Sequence, residues 1–180
     1  MNTDKELTII MFGSAGVHEA LKIYDQKEAE LRERYPKSYL EKIPGRLFGM
    51  MKKNTDFALT MCNAWDGNDG NHLLYACLEE GVFGALWAIG EFYNCGLRCN
   101  LEDIPIDQAV TELCDYADIN PYEADAAGTY IIATKKAGKI LSILEDYGIQ
   151  GKVIGYTTLE IARIIVGPTE RYLTKPSVKN

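Results

Sequence analysis

The sequence predicts an α/β or α+β protein, a mixed β-sheet flanked by helices. Three observations predict it. Short β-branched apolar runs such as "ELTIIMF" and "GTYIIAT" read as buried strands. Longer charged stretches with apolar residues at helical spacing alternate with them. Gly, Pro, Asn and Asp clusters punctuate the boundaries.

Taken in order, Glu6–Gly13 is the first strand and Ser14–Gly16 a turn. Val17–Tyr35 is a helix, with Leu21, Tyr24, Glu28 and Leu31 near helical spacing, and Pro36 ends it. Tyr39–Lys53 is a second helical region, broken near Pro44-Gly45. "DFALTMCNAW", Asp56–Trp65, reads as a strand, and Asp66–Asn71 as a loop. Glu79–Cys95 is a helix with glycines at positions 81, 84 and 90 for close packing. Leu97–Ile106 is a strand leading into a turn. Asp107–Ala117 is a helix with Asp107 as N-cap. Asn120-Pro121 turns into the strand Gly128–Thr134, and Lys135–Tyr147 is a helix with Gly148 as its left-handed C-cap. Gly151–Thr158 and Ala162–Gly167 are strands. Residues 1–167 form one domain, and 168–180 a loose polar tail.

Composition excludes several classes. A net charge of −7 argues against a nucleic-acid partner, because phosphate backbones need clustered Lys and Arg. Lys135, Lys136 and Lys139 read as one solvated helix face. No run reaches the roughly 18 apolar residues of a membrane span, and "MNTDKELTIIMFG" is no secretory signal. Five cysteines, an odd number at low density, suit a reduced compartment, so the expected location is cytoplasmic.

"GVFGALWAIGEFYNCGLRCNLEDIPI", then "INPYEADAAGTYIIAT", then "LEDYGIQGKVIGYTT" resemble in order and spacing the C-terminal domain of the aminoimidazole ribonucleotide synthase-related superfamily. The hydrogenase maturation factor-like branch is the nearest in flavour, and "GVHEALKIYDQKEAEL" is similar to its opening helix. The resemblance runs from about Glu6 to Val166. It implies that fold, a cleft near the helix at Gly81, and a nucleotide-binding domain in full members. Met1 falls just before the resemblance starts, so that domain is expected to have no counterpart here. Nor does "KPSVKN" carry the C-terminal cysteine on which the maturation factor works.

The resemblance also locates two altered loops. The family's His-Asp-x-Thr/Ser-Glu-Gly-Gly turn falls on Tyr75, Ala76, Cys77, Leu78, Glu79, Glu80 and Gly81, so only Glu79 and Gly81 match. A Glu-Gly pair in the first loop falls on His18 and Glu19. Glutamate in place of a phosphate-facing glycine adds bulk and like charge. Tyr75, Cys77, Glu79, Glu80, Gly81 and His18 are therefore expected to form a degenerate ligand site.

Other groups read as follows. Glu79 and Glu80 are an acid/base pair or carboxylates complementing a helix N-terminus; on a helix they would point about 100° apart. Cys77 is a candidate reactive thiol opposed by those carboxylates. Cys95 and Cys99, with His18 or His72, lack the two clear ligand pairs of a zinc site. Asp66, Asn68, Asp69 and Asn71 could hold a hard cation or form a solvated loop. No catalytic residue, cofactor or metal is expected. The expected role is binding or assembly without ATP-dependent catalysis. The partner is a small ligand, a second copy, or a protein covering the face that a nucleotide domain would cover. The alternative is a subunit of a split ATP-dependent synthetase, with the nucleotide-binding domain on another protein.

Overall fold

The computed structural model describes residues 6–65 and 72–177. Its strands form one sheet in the order β2-β4-β1-β5-β3-β6-β7. They are β1 (Thr8–Phe12), β2 (His72–Cys77), β3 (Gly96–Asn100), β4 (Thr129–Thr134), β5 (Gly151–Thr158), β6 (Arg163–Val166) and β7 (Glu170–Tyr172). The β3–β6 pair is parallel, and the other pairs are antiparallel. The helices are α1 (Val17–Arg34), α2 (Lys37–Leu40), α3 (Ile43–Ala64), α4 (Gly81–Tyr93), α5 (Gln108–Tyr116) and α6 (Ala137–Asp146). A mixed sheet flanked by helices is the architecture the sequence predicts.

Strand alternation builds two cores. Leu7, Ile9 and Met11 of the first strand region, with Ile131 and Ala133 of β4, meet Val82, Leu86 and Ile89 of α4. Ile10, Phe12 and Ile132 point the other way, onto Phe57 and Met61 of α3 and Ile140 and Leu144 of α6. Burying each such Leu or Ile contributes about 1.5–3 kcal/mol. A third cluster joins α1, α2, α3 and α5.

Several boundaries follow the predicted chemistry. Asp107 caps α5 by accepting from the Ala109 N–H at 2.8 Å. Gly148 adopts φ +66° after α6, and the Ile149 N–H donates to the Leu144 carbonyl at 2.8 Å. Tyr35, extended before Pro36, ends α1.

Three readings need correction. Asp56–Trp65 is not a strand: it is the C-terminal half of α3, burying Phe57, Ala58 and Met61 at helical spacing. Pro44-Gly45 does not break a helix but lies in the first turn of α3, where proline's missing N–H costs nothing. Leu97–Ile106 is, as read, a strand that leads at Asn100 into a 3-10 turn over Leu101–Asp103. β2 and β7 are unforeseen strands, and β7 lies in the stretch expected to be loose. Leu173, just after it, is buried and donates its N–H to the Arg163 carbonyl at 2.8 Å.

Candidate functional site

The first turn of α1 and the β2–α4 turn meet at one cleft of about 410 Å³. His18 comes from the first turn of α1, and Tyr75 and Ala76 from the end of β2. Leu78, Glu79, Glu80 and Gly81 come from the turn that follows, and Gly84 and Ala85 from α4. Asp125 and Ala127 close the side next to β4. Five of the six residues assigned from sequence, His18, Tyr75, Glu79, Glu80 and Gly81, line this space. Cys77 does not. It is fully buried in the core beneath α4, and burial pushes its thiol pKa well up, the opposite of a reactive thiolate.

Glu79 and Glu80 both border the cleft because neither belongs to the body of α4. The 100° separation expected on a helix does not apply to a turn. Glu80 lays its side chain over Gly84: a Cβ placed on Gly84 would collide with Glu80 Cβ. On its far side Glu80 borders a smaller cavity of about 120 Å³ with Phe83, Leu173 and Pro176.

Gly81 has φ +65°, a conformation costly for any side chain. A Cβ there would lie 2.6 Å from the Tyr122 carbonyl oxygen and 2.7 Å from that of Ala124. The same approach lets the Phe83 N–H donate to the Tyr122 carbonyl at 3.0 Å, while the Gly81 N–H donates to Leu78. Two N–H groups at the start of α4 are thus taken by the protein's own backbone. A bare helix N-terminus attracts anions through such donors.

Sequence reasoning missed Asp125, which organises the wall. Its side chain is only 8% exposed. His18 Nδ1 lies 2.8 Å from Asp125 Oδ2, and Lys22 Nζ donates to the same oxygen at 2.7 Å. The Ala127 N–H donates to Oδ1 at 3.0 Å, and the Asp125 carbonyl accepts from the Glu19 N–H at 2.9 Å. Burial opposes ionisation of Asp125, but the bonds from Lys22, His18 and Ala127 outweigh it and hold the carboxyl below its usual pKa. The bond to Asp125 foremost, with the Glu19 carboxylate adding to it, outweighs desolvation and raises the Lys22 pKa. An ionised carboxylate only accepts, so the proton between them sits on His18 Nδ1, leaving Nε2 as the ring's other nitrogen. "INPYEADAAGTYIIAT" is part of the resemblance, but nothing in it singles out Asp125, whose place at the site comes from a contact spanning 107 positions.

The two thiols weighed as zinc ligands are core residues. Cys95 and Cys99 are buried, and burial pushes the Cys99 thiol up to about 12. His72 instead stacks on Trp65 and lies 2.6 Å from Thr134 Oγ1 through Nδ1. Among the described residues, no three His, Cys, Asp or Glu side chains gather to hold a metal. The candidate cation loop of Asp66, Asn68, Asp69 and Asn71 lies outside the described residues. No helix among the described residues is long and apolar enough to cross a membrane.

This sheet order with its flanking helices is the aminoimidazole ribonucleotide synthase-like fold. E. coli HypE matches 99% of the chain with a TM-score of 0.69 at 17% identity, and the match takes in 52% of HypE. A chain of the HypE–HypF complex matches 97% with a TM-score of 0.67 at 17% identity, over 54% of its length. T. maritima PurL complexed with FGAR matches 94% with a TM-score of 0.55 at 16% identity, over 27% of its length. In sequence, a putative hydrogenase expression/formation protein of Methanocaldococcus jannaschii is 31% identical over 113 residues. The match covers 53% of this chain and 34% of that protein. The chain thus spans about half of the HypE chains and a third of its curated relative. No protein-family model matches the chain.

Proposed function

We propose that this chain serves in hydrogenase maturation as a binding component, and that its cleft takes a ligand other than a nucleotide phosphate. The similarity to a hydrogenase expression/formation protein and to HypE supports the maturation context. The observation that carries the binding reading is the rim of the cleft. Glu80 stands where the family turn has a glycine, beside the matching Glu79, Asp125 is ionised behind them, and the Gly81 and Phe83 N–H groups already serve backbone carbonyls. A phosphate would meet like charge with two fewer donors.

The test is a titration of Mg²⁺-ATP and of phenyl phosphate, followed by the backbone amide signals of residues 75–84. These signals are expected not to move. Glu80→Gly is expected to raise affinity there by no more than about tenfold, since it removes a charge but frees neither donor. Tight phosphate binding at these amides in the wild type, lost in Glu80→Gly, would make Glu80 a ligand-holding residue and overturn the reading.

Association is the second part of the proposal. HypE occurs in a complex with HypF, so a maturation protein is the expected class of partner. On the sheet face opposite α4, Tyr156, Arg98, Ile164 and Tyr172 stand in one row across β5, β3, β6 and β7. Tyr156 is 46% and Tyr172 75% exposed, with Leu159 and Ile161 exposed at the adjoining turn. An exposed patch of this kind marks an interaction surface. Sedimentation velocity at micromolar concentration, alone and with candidate partners, is expected to show association that Tyr156→Lys weakens about tenfold or more. A monomer that binds no partner would refute this part.

The alternative of shared catalysis with a separate nucleotide-binding protein has one observation in its favour: the ordered His18–Asp125–Lys22 group at the cleft. A copurifying nucleotide-binding partner, with ATP hydrolysis that His18→Gln abolishes, would establish it.

A further inference from the structure

A second cavity, of about 380 Å³, lies at the other end of the β1–α1 loop. Met50, Lys53 and Asn54 line it from one face of α3, at positions i, i+3 and i+4. Gly148, Ile149, Gln150 and Lys152 line it from the α6–β5 connection and the start of β5, and Gly13 and Pro105 complete it.

Its charge is opposite to that of the first cleft. Among the described residues, the charged side chains lining it are Lys53 and Lys152, in a chain whose net charge is −7. Lys53 Nζ donates to the Gly148 carbonyl at 2.7 Å. An ammonium has three donors, so this bond positions Lys53 without cancelling its charge. No carboxylate among the described residues pairs with it. Lys152 is shared: it reaches Asp103 Oδ1 at 3.1 Å and the Glu102 carbonyl at 3.4 Å, while remaining half-exposed.

The scaffold is fixed. Asn54 is 3% exposed and donates through Nδ2 to the Gly128 carbonyl at 3.0 Å. Gly13, at φ +104°, and Gly148, at φ +66°, bring bare backbone to the wall. A Cβ on Gly148 would lie 2.9 Å from Lys53 Nζ, so a side chain there would displace the ammonium. Met50, Pro105 and Ile149 supply apolar surface beside the two cations. A concave space with an apolar wall and a few fixed polar groups is the general form of a small-ligand site.

We infer that this cavity binds a small organic anion, a carboxylate or a phosphate monoester, with its charged head between Lys53 and Lys152 and its apolar body against Met50, Pro105 and Ile149. The site is separate from the cleft at His18 and does not depend on what that cleft binds.

The probes are phenyl phosphate, benzoate and, as a neutral control, benzyl alcohol, each titrated while the amide signals of the full chain are followed. The anions are expected to shift the Gly13, Asn54, Gly148, Ile149 and Lys152 amides with a Kd of about 1 mM or tighter. Lys53→Gln and Lys152→Gln are each expected to weaken binding about fivefold or more, and added salt to weaken it further. Selective binding of phenyl phosphate would identify the phosphate source, and of benzoate the carboxylate source; equal binding would mean the site reads charge alone. Should Lys53→Gln unfold through loss of its bond to Gly148, Lys152→Gln decides. Shifts confined to residues 75–84 would overturn the inference. So would equal shifts with benzyl alcohol, binding unchanged in Lys152→Gln, or no shift at all.

Discussion

Gly81→Ala is expected to cost about 3 kcal/mol of folding stability, with no ligand present. A side chain in the left-handed region costs about 1–2 kcal/mol by itself. The added Cβ would then press on the Tyr122 and Ala124 carbonyl oxygens at 2.6 and 2.7 Å. Relieving that contact pushes the 122–124 segment away from α4 and stretches the bond from the Phe83 N–H to Tyr122. Urea unfolding at neutral pH measures the loss as a lower midpoint with an unchanged slope. The size of the effect matters for function. A large loss without ligand means that packing against residues 122–124 is sufficient reason for a glycine here. A variant as stable as the wild type would return Gly81 to the role of a backbone kept bare for a bound phosphate.

The elements legible in the sequence are those whose local chemistry agrees with their tertiary setting. β1 and β4 are buried on both faces and read as uninterrupted apolar runs. α5 and α6 carry a clear apolar face, and Asp107 and Gly148 mark an end of each by capping chemistry. Failures occur where period and composition disagree. Phe57, Ala58 and Met61 continue the helical spacing set by Ile43, Leu47 and Asn54, but the run "DFALTMCNAW" looks like a strand when cut from that context. β2 is an edge strand of half-buried residues, and β7 has three exposed residues, so neither has an alternation to read. The same holds for the site. The resemblance located one side, His18 and Glu79–Gly81, because those stretches are contiguous motifs. Asp125 is a single acidic residue in a turn, and only folding brings it to His18 and Lys22. Cys77 does not line the cleft because strand alternation decides which residues of β2 face the core, and β2 itself had not been foreseen.

Asp125→Asn is expected to cost about 2 kcal/mol at pH 7, the scale of hydrogen bonds to a charged group whose partners are left in place. The substitution keeps the shape but removes the charge that Lys22 and His18 face, and its NH₂ group repels whichever donor it meets. The pH dependence separates charge from packing. The folded-state pKa of Asp125 is depressed, so its contribution is complete above the unfolded value of about 3.9 and is lost as pH falls through the lower folded value. Lys22 is shifted the other way: its contribution is complete below its unfolded pKa of about 10.4 and is lost as pH rises through the raised folded value. The stability gap between wild type and Asp125→Asn should therefore close on the acid side below about pH 4. Urea unfolding of both proteins as pH falls measures it, and a gap that persists unchanged in acid would mean that packing, not charge, is what Asp125 supplies. The His18 ring nitrogens give a second readout. In the wild type the proton should sit on Nδ1 when the ring is neutral, and Asp125→Asn should shift the tautomer toward Nε2 in ¹⁵N spectra. That shift would make Asp125 the residue that sets which nitrogen His18 offers to the cleft, and an unchanged tautomer would leave it a purely structural anchor for the α1 terminus.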